Sequence, residues 1–268
     1  MVVADITNPV FYGMIRGAER TAGHAGYTML LVETQESERT ERAVVERLLP
    51  SVDGVVLTSS RLDDGTIRTF AKQSPIVVLN RLVYQVPSVA ADHIRAVKRV
   101  AEHLAADDHR SITYLSGPEA SWANGMRWRG LLEAGHELHI KVRRIGPYVP
   151  TMSGGRQAAE QWLKTPTTGV VAYNDLVAIG FLQTVRSVGV DVPRDVSIVG
   201  FDNIPDASLV RPGLTTIAAP LLSLGSAAVN HLLKTSALPT RRDESVILPA
   251  RVVVRSSTGP AGTARHVR

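Results

Sequence analysis

Apolar residues along this chain fall into two patterns that take turns. One is the short unbroken run, as in Tyr27-Thr28-Met29-Leu30-Leu31-Val32, Asp53-Gly54-Val55-Val56-Leu57-Thr58, Pro75-Ile76-Val77-Val78-Leu79-Asn80 and Val196-Ser197-Ile198-Val199-Gly200-Phe201. Such runs, rich in Val and Ile and bounded by Gly, Pro, Asn or Asp, predict strands buried on both faces, as in parallel sheets. The other pattern is helical spacing. After Asn8-Pro9 it brings Met14, Ile15, Ala18 and Ala22 onto one face, and in a stretch rich in Glu and Arg it turns Val44, Val45, Leu48 and Leu49 inward. Asn8 is placed to cap the first helix, with Pro9 at its first position.

Further strands are expected at 88–92, 112–116, 141–145, 168–173, 214–218, 245–249 and 252–254, and further helices at 62–72, 92–106, 122–134, 153–164, 175–188 and 221–234. About ten strands alternating with about eight helices require an α/β, doubly wound parallel architecture. One open sheet of that width would be strongly twisted, so two sheets of about five or six strands each are expected. Asp107-Asp108-His109-Arg110 is the candidate crossing between them. It carries no Pro/Gly/Ser linker, which predicts two lobes hinged across a cleft rather than tethered domains. The tail from Gly259 reads as disordered.

Composition narrows the class. At 268 residues, 44% hydrophobic and 21% charged, the chain has ample material for a globular core. No apolar run approaches the roughly 20 residues needed to cross a bilayer. Met1-Val2-Val3-Ala4-Asp5 lacks the pattern of a signal peptide. The absence of cysteine excludes disulfides and thiolate chemistry. A cytoplasmic location is the expectation, although a cysteine-free periplasmic protein would also fit. The net charge of +5 suggests an acidic partner, yet arginines are scattered apart from Arg241-Arg242 and Arg265-His266-Val267-Arg268. A chain that binds DNA by itself would show a denser stripe or a reading helix, so the charge reads as solvated surface.

In open α/β sheets, ligands bind beyond the carboxyl ends of the strands. The residues there are Asp5 to Asn8, Thr58-Ser59-Ser60, Asn80-Arg81, Asp92, Ser116-Gly117, Asn174-Asp175 and Asp202-Asn203. Turn formation and helix capping account for about half of them; Asp202, for one, could simply cap the 204–209 segment. Capping does not account for Arg81, nor for the grouping of Phe11, Tyr12, Trp122, Tyr148 and Tyr173 at loop-to-helix junctions when aromatics make up only 5% of the chain. Carboxylates, amides and arginine bind hydroxyls, while flat rings cover the C–H face of a sugar or stack on a base. The combination predicts a polar small molecule in a cleft.

Catalytic readings fare less well. The chain has no phosphate-binding Gly-rich loop, dinucleotide fingerprint or nucleophile elbow. His136-Glu137-Leu138-His139 places its histidines three apart beside Gly135, whereas the zinc-protease helix needs them four apart, so a solvated turn is expected. No metal or cofactor is implied, and the chain is not read as an enzyme.

Six segments then form a family likeness. They are Val-Ala-Asp-Ile-Thr-Asn-Pro-Val-Phe-Tyr (3–12), Val-Asp-Gly-Val-Val-Leu (52–57), Arg-Trp-Arg-Gly-Leu (127–131), Tyr-Asn-Asp-Leu-Val-Ala-Ile-Gly (173–180), Val-Pro-Arg-Asp-Val-Ser-Ile-Val-Gly-Phe-Asp-Asn-Ile-Pro (192–205) and Leu-Thr-Thr-Ile (214–217). In this order they resemble the effector-binding core of LacI/GalR-type bacterial transcription regulators over residues 1 to about 259. The resemblance implies a type I periplasmic-binding-protein-like fold of two similar parallel-sheet lobes joined by a three-stranded hinge. The first lobe would hold 1–107 and 217–243, the second 108–216 and 244–259, with 260–268 a flexible tail.

It further implies a homodimer whose small polar effector, a sugar or sugar derivative rather than a purine, lies between the lobes and switches dimer geometry. Phe11 would contact the effector from the first lobe, Arg127 would hydrogen-bond it, Asp202 would anchor it from the second lobe and Asn174 would lie beside it. Ser60, Asn80, Arg81, Trp122, Tyr148 and Tyr173 would line the same mouth. Val10 stands where the family usually has a second aromatic. The family reads operator DNA through an N-terminal helix-turn-helix, absent from this sequence, so the chain by itself is expected not to bind operator DNA specifically. The rival reading is an exported sugar-binding protein of a transporter, which shares the fold.

Overall fold

The computed structural model of the protein describes residues 1–237 and 245–262. In chain order the elements are β1 (Val2–Val3), α1 (Val10–His24), β2 (Val32–Glu33), α2 (Glu38–Leu48), β3 (Val55–Thr58), α3 (Asp64–Gln73), β4 (Ile76–Leu79) and β5 (Ser88–Ala91). They continue with α4 (His93–Ala106), β6 (Ser111–Leu115), α5 (Trp122–Glu137), β7 (Lys141–Ile145), α6 (Met152–Trp162), β8 (Gly169–Ala172), α7 (Asp175–Ser187) and β9 (Ser197–Phe201). The last are α8 (Asp206–Leu209), β10 (Thr215–Ala218), α9 (Leu221–Ala237), β11 (Ser245–Leu248) and β12 (Arg251–Val253). They divide between two compact units, the first made of Met1–Asp92, Ser121–Ala123 and Pro220–Pro249, the second of His93–Ala120, Asn124–Ala219 and Ala250 onward.

The first unit is built on a parallel six-stranded sheet in the order β11-β5-β4-β3-β1-β2. The Val/Ile runs of β3 and β4 are buried throughout, because helices cover both faces of the sheet. Val55, Leu57, Ile76 and Val78 pack with Val44 and Val45 of α2 and with Ile67 and Phe70 of α3. Ser37 and Asp63 start those two helices by accepting hydrogen bonds from the Thr40 and Thr66 amides at 3.2 and 3.0 Å. The first helix starts one residue later than expected: Pro9 rather than Asn8 is its N-cap, and Asn8 sits just before it with its Oδ1 accepting from the Val10 amide at 3.1 Å. α1 and α9 meet backbone to backbone. A Cβ on Gly225 would lie 2.0 Å from the Met14 carbonyl oxygen.

The second unit repeats the plan, with strand order β12-β10-β9-β8-β6-β7 and β12 as the antiparallel edge. Successive strand residues alternate between two cores. Ile112, Tyr114, Val171, Val199 and Phe201 face α4 and α5, while Leu115, Val170, Ala172 and Ile198 face α6 and α7. α6 and α7 pack through small residues, and a Cβ on Gly155 would fall 2.2 Å from the Val177 carbonyl oxygen.

The structure corrects several expectations. The division falls at Asp92, not at 107, because Ala96, Val97, Val100, Ala101 and Leu104 put the whole apolar stripe of α4 into the core of Ile112 and Tyr114. β11, expected in the second lobe, pairs with β5 of the first unit from Ser245↔Ser88 to Leu248↔Ala91. The second strand is only Val32–Glu33, because its neighbour β1 offers just Val2 and Val3 to pair with. The tail is ordered further than expected. The Gly259 amide donates to Ser197 Oγ at 3.1 Å and the Ala261 amide to the Asp107 carbonyl at 2.8 Å. Arg241-Arg242 and residues 263–268 lie outside the described residues.

The close approach of α6 and α7 predicts that Gly155→Val destabilises the protein by about 2 kcal/mol and lowers its melting midpoint by about 4–8 °C. Gly125→Ala, where an added Cβ meets nothing within 4 Å, should leave the midpoint unchanged or raise it. Calorimetric melting of both variants checks this, and equal midpoints would refute it.

Candidate functional site

In the second unit the chemistry gathers at the carboxyl ends of β8 and β9. Asp175, the first residue of α7, is fully buried. Its carboxylate accepts from Thr216 Oγ1 at 2.6 Å and from the Ile204 amide at 2.9 Å, so one side chain ties together the start of α7, the turn after β9 and strand β10. Gly200 is required beside it, since a Cβ there would sit 2.1 Å from Asp175 Oδ1. The turn itself runs through positive φ at Asp202 (111°) and Asn203 (58°), and Asn203 Oδ1 is held by Arg255 Nη2 at 2.7 Å. Asp202 therefore caps no helix. Its side chain faces Arg127 instead.

Arg127, on α5, is 4% exposed. Its Nη1 donates to the Tyr173 carbonyl, its Nε to His93 Nδ1 at 3.4 Å, and its Nη2 stands 3.5 Å from Asp202 Oδ1. The guanidinium lies 3.5 Å from the centroid of the Phe201 ring and 5.0 Å from that of Tyr173. His93, the first residue of α4, packs its ring on Phe201 with centroids 5.3 Å apart. Burial, and secondarily the Arg127 charge, hold His93 well below the usual histidine range, so it is neutral and accepts from Arg127.

Burial pushes the Asp202 carboxyl up to about 7, with Arg127 opposing the rise. Burial and then the neighbouring Asp202 charge push Asp175 well above the usual carboxylate range. At 3.5 Å the Arg127–Asp202 contact is an ion pair without a tight hydrogen bond, which leaves acceptor capacity on the carboxylate and donor capacity on the guanidinium.

Of the residues expected from sequence, Arg127, Tyr173 and Asp202 thus come together. Asn174, next to Tyr173, is occupied within the fold: its Oδ1 accepts from the Val177 amide at 2.9 Å and its Nδ2 donates to the Pro150 carbonyl at 3.1 Å. Tyr148 follows β7, half-buried against the α6–α7 core, and its hydroxyl donates to Gln161 Oε1. His93, Asp175, Phe201 and Thr216 were not among the expected site residues. Asp175 was visible as a strand-end carboxylate, but no sequence signal places His93 beside an arginine 34 positions away.

In the first unit, Ser60, Asn80, Arg81 and Trp122 line one small depression with Ser59, Arg61 and Ser121. Arg81 is committed to the fold. Its Nη1 donates to the Ser60 and Leu62 carbonyls at 3.0 and 2.6 Å and its Nη2 to Asp64 at 2.5 Å, clamping the loop after β3 to the loop after β4. Its Nε is buried without a partner. Phe11 is buried on α1 and is not among the residues lining that depression, while Tyr12 is exposed. Among the described residues no group of three or more His, Asp or Glu could hold a metal ion, and no helix is long and apolar enough to cross a membrane.

Comparison with known proteins decides the family. The periplasmic binding protein-like domain model matches residues 101–258. The transcriptional repressor CytR of Escherichia coli K12 is 30% identical over 266 residues, covering 96% of this chain and 78% of the repressor. The chain belongs to the LacI family of transcriptional regulators. A LacI-family regulator from Enterococcus faecalis V583, solved with bound ribose, is 31% identical with a TM-score of 0.86 over 97% of this chain and 98% of that one. One from Mycobacterium smegmatis is 26% identical with a TM-score of 0.87 over the same shares. The LacI family shares its two-lobed α/β fold with periplasmic binding proteins, and the regulators at 30% identity place this chain on the regulatory side of that kinship.

The raised Asp202 carboxyl makes a prediction with a definite sign. Between about pH 4 and pH 7 the unfolded chain has lost this proton and the folded one keeps it, so Asp202 lowers stability progressively as pH rises through that window. Asp202→Asn removes the titration. Relative to the native protein, the variant should therefore gain stability from pH 5 to pH 8 in urea denaturation, and a difference that stays constant across that range would contradict it.

Proposed function

We propose that this LacI-family chain is the effector-sensing part of its regulator and that the effector is a small polyhydroxy compound, a sugar or sugar derivative rather than a purine. The observation that carries this reading is the Arg127–Asp202 pair. A guanidinium on α5 and a carboxylate at the end of β9 are buried with hydrogen-bonding capacity to spare, beside the rings of Phe201 and Tyr173. Paired donors and acceptors suit vicinal hydroxyls, and ring faces suit the C–H face of a sugar. Two LacI-family neighbours, at 31% and 29% identity, were solved with bound ribose, which supports a monosaccharide-sized effector.

In this reading Arg127 and Asp202 are the second unit's anchors, with Asn174, Tyr148 and Tyr173 shaping their surroundings. Phe11, Ser60, Asn80, Arg81 and Trp122 are the first unit's contribution. Because Arg81 is already clamped to Asp64 and two carbonyls, its role there is to hold the Ser60 and Asn80 loops in place. The effector shifts the protein between states only by its differential affinity for them. The chain acts as a cytoplasmic homodimer, and operator DNA is read by a helix-turn-helix of the kind named in its relatives.

A thermal-shift screen of monosaccharides and their derivatives identifies the effector, since a ligand of the native state raises the melting midpoint. With that compound, Arg127→Ala should weaken binding at least tenfold in calorimetry, the loss of a charge-assisted hydrogen bond worth roughly 1.5–3 kcal/mol. A change below twofold would show that the effector binds elsewhere.

A further inference from the structure

The aim of the Arg127 guanidinium is set by what holds its three nitrogens. Nη1 is fixed on the Tyr173 carbonyl and Nε on His93 Nδ1 at 3.4 Å, which leaves Nη2 presented to Asp202. A guanidinium is a rigid planar fork, so fixing two of its nitrogens fixes the direction of the third. The two holders differ in kind. A backbone carbonyl can only accept, whereas an imidazole accepts at Nδ1 only as the neutral ring with its proton on Nε2. Any other form would set N–H against N–H.

His93 is itself firmly placed. It is 2% exposed, and its ring packs on Phe201, the ring whose centroid lies 3.5 Å from the guanidinium. Its backbone opens α4, whose Ala96, Val97 and Val100 are buried in the second core. The residue before it is pinned as well, the Asp92 amide donating to the Leu248 carbonyl at 2.9 Å. Burial and the Arg127 charge keep the ring neutral.

We propose that His93 is a positioning residue of the effector site: as the Nε2–H tautomer it fixes the Arg127 guanidinium through Nε and so aims Nη2 at Asp202. The proposal rests on Arg127 and Asp202 being the effector's anchors. It gives a role to a side chain that needs no contact with the effector itself.

Three substitutions separate the acceptor from the ring. His93→Asn keeps an acceptor at the place of Nδ1, His93→Phe keeps a ring on Phe201 without the acceptor, and His93→Leu removes both. Two NMR measurements are made on the protein alone. In the Phe and Leu variants the Arg127 Nε–H should exchange with solvent at least about fivefold faster, through loss of its hydrogen bond. The Asp202 carboxyl, less squarely faced by the cation that opposes its rise, should titrate about half a unit or more above its native midpoint of about 7. A mere loss of global stability would not move this titration in the folded protein. The Asn variant should match the native protein in both respects. Native values in the Phe and Leu variants would overturn the proposal, and so would an Asn variant that behaves as they do. D-ribose serves as the monosaccharide probe in calorimetry, with affinity at least about fivefold weaker in the Phe and Leu variants and within about twofold of native in the Asn variant. Ribose affinity untouched by Arg127→Ala would instead sink the assignment of the anchors, while the two NMR measurements would still decide what His93 does.

Discussion

The second unit is organised by the buried carboxylate of Asp175. A carboxyl group removed from water is tolerated when its oxygens find hydrogen-bond partners, and here they accept from groups of two other segments, Thr216 on β10 and the Ile204 amide. This constraint dictates its neighbours. Gly200 must lack a side chain to admit the oxygen, and the chain after Phe201 must turn through positive φ so that the Ile204 amide comes round to it. The turn in its course delivers Asp202 toward Arg127. A structural carboxylate thus places a functional one, and two carboxylates two strands' ends apart in sequence end up close enough for the charge of one to raise the other.

Arg127 is bound by the complementary requirement. A buried guanidinium is tolerable when each of its nitrogens has a carbonyl, imidazole or carboxylate partner and its faces have rings. The Tyr173 carbonyl, His93, Asp202 and the Phe201 and Tyr173 rings supply them. The long pair distance to Asp202 is the one loose joint in an otherwise committed set. Arg81 in the first unit is the contrasting case, an arginine whose contacts are consumed by loop carbonyls and Asp64. Residue type and burial do not separate the two arginines; their partners do.

Much of the architecture was legible in the residues. Continuous Val/Ile runs marked the buried parallel strands, and Asn8-Pro9 marked the start of the first helix to within a residue. The motif Gly200-Phe201-Asp202-Asn203 stood out as a strand end with chemistry, and the family likeness followed from segments in register. What was not legible depended on pairing across distance. Nothing local says that the stripe of α4 fills the second core or that β11 returns to the first sheet, because both faces of each lobe look alike in sequence. Thr28–Leu31 reads as strand in the sequence, yet the β1–β2 ladder runs only over Val32 and Glu33, opposite Val2 and Val3. His93 looks like a helix start until Arg127 is brought beside it.

The last two strands carry a consequence for how the molecule is made. β11 completes the edge of one sheet and β12 the edge of the other, with only Pro249 and Ala250 between them. Neither unit is contiguous, and no single cut of the chain separates them. On a ribosome, where domains ordinarily fold one after another as they emerge, this chain has no finished half to release. Both sheets wait for the same short stretch from Ser245 to Val253, so the two units are completed nearly together.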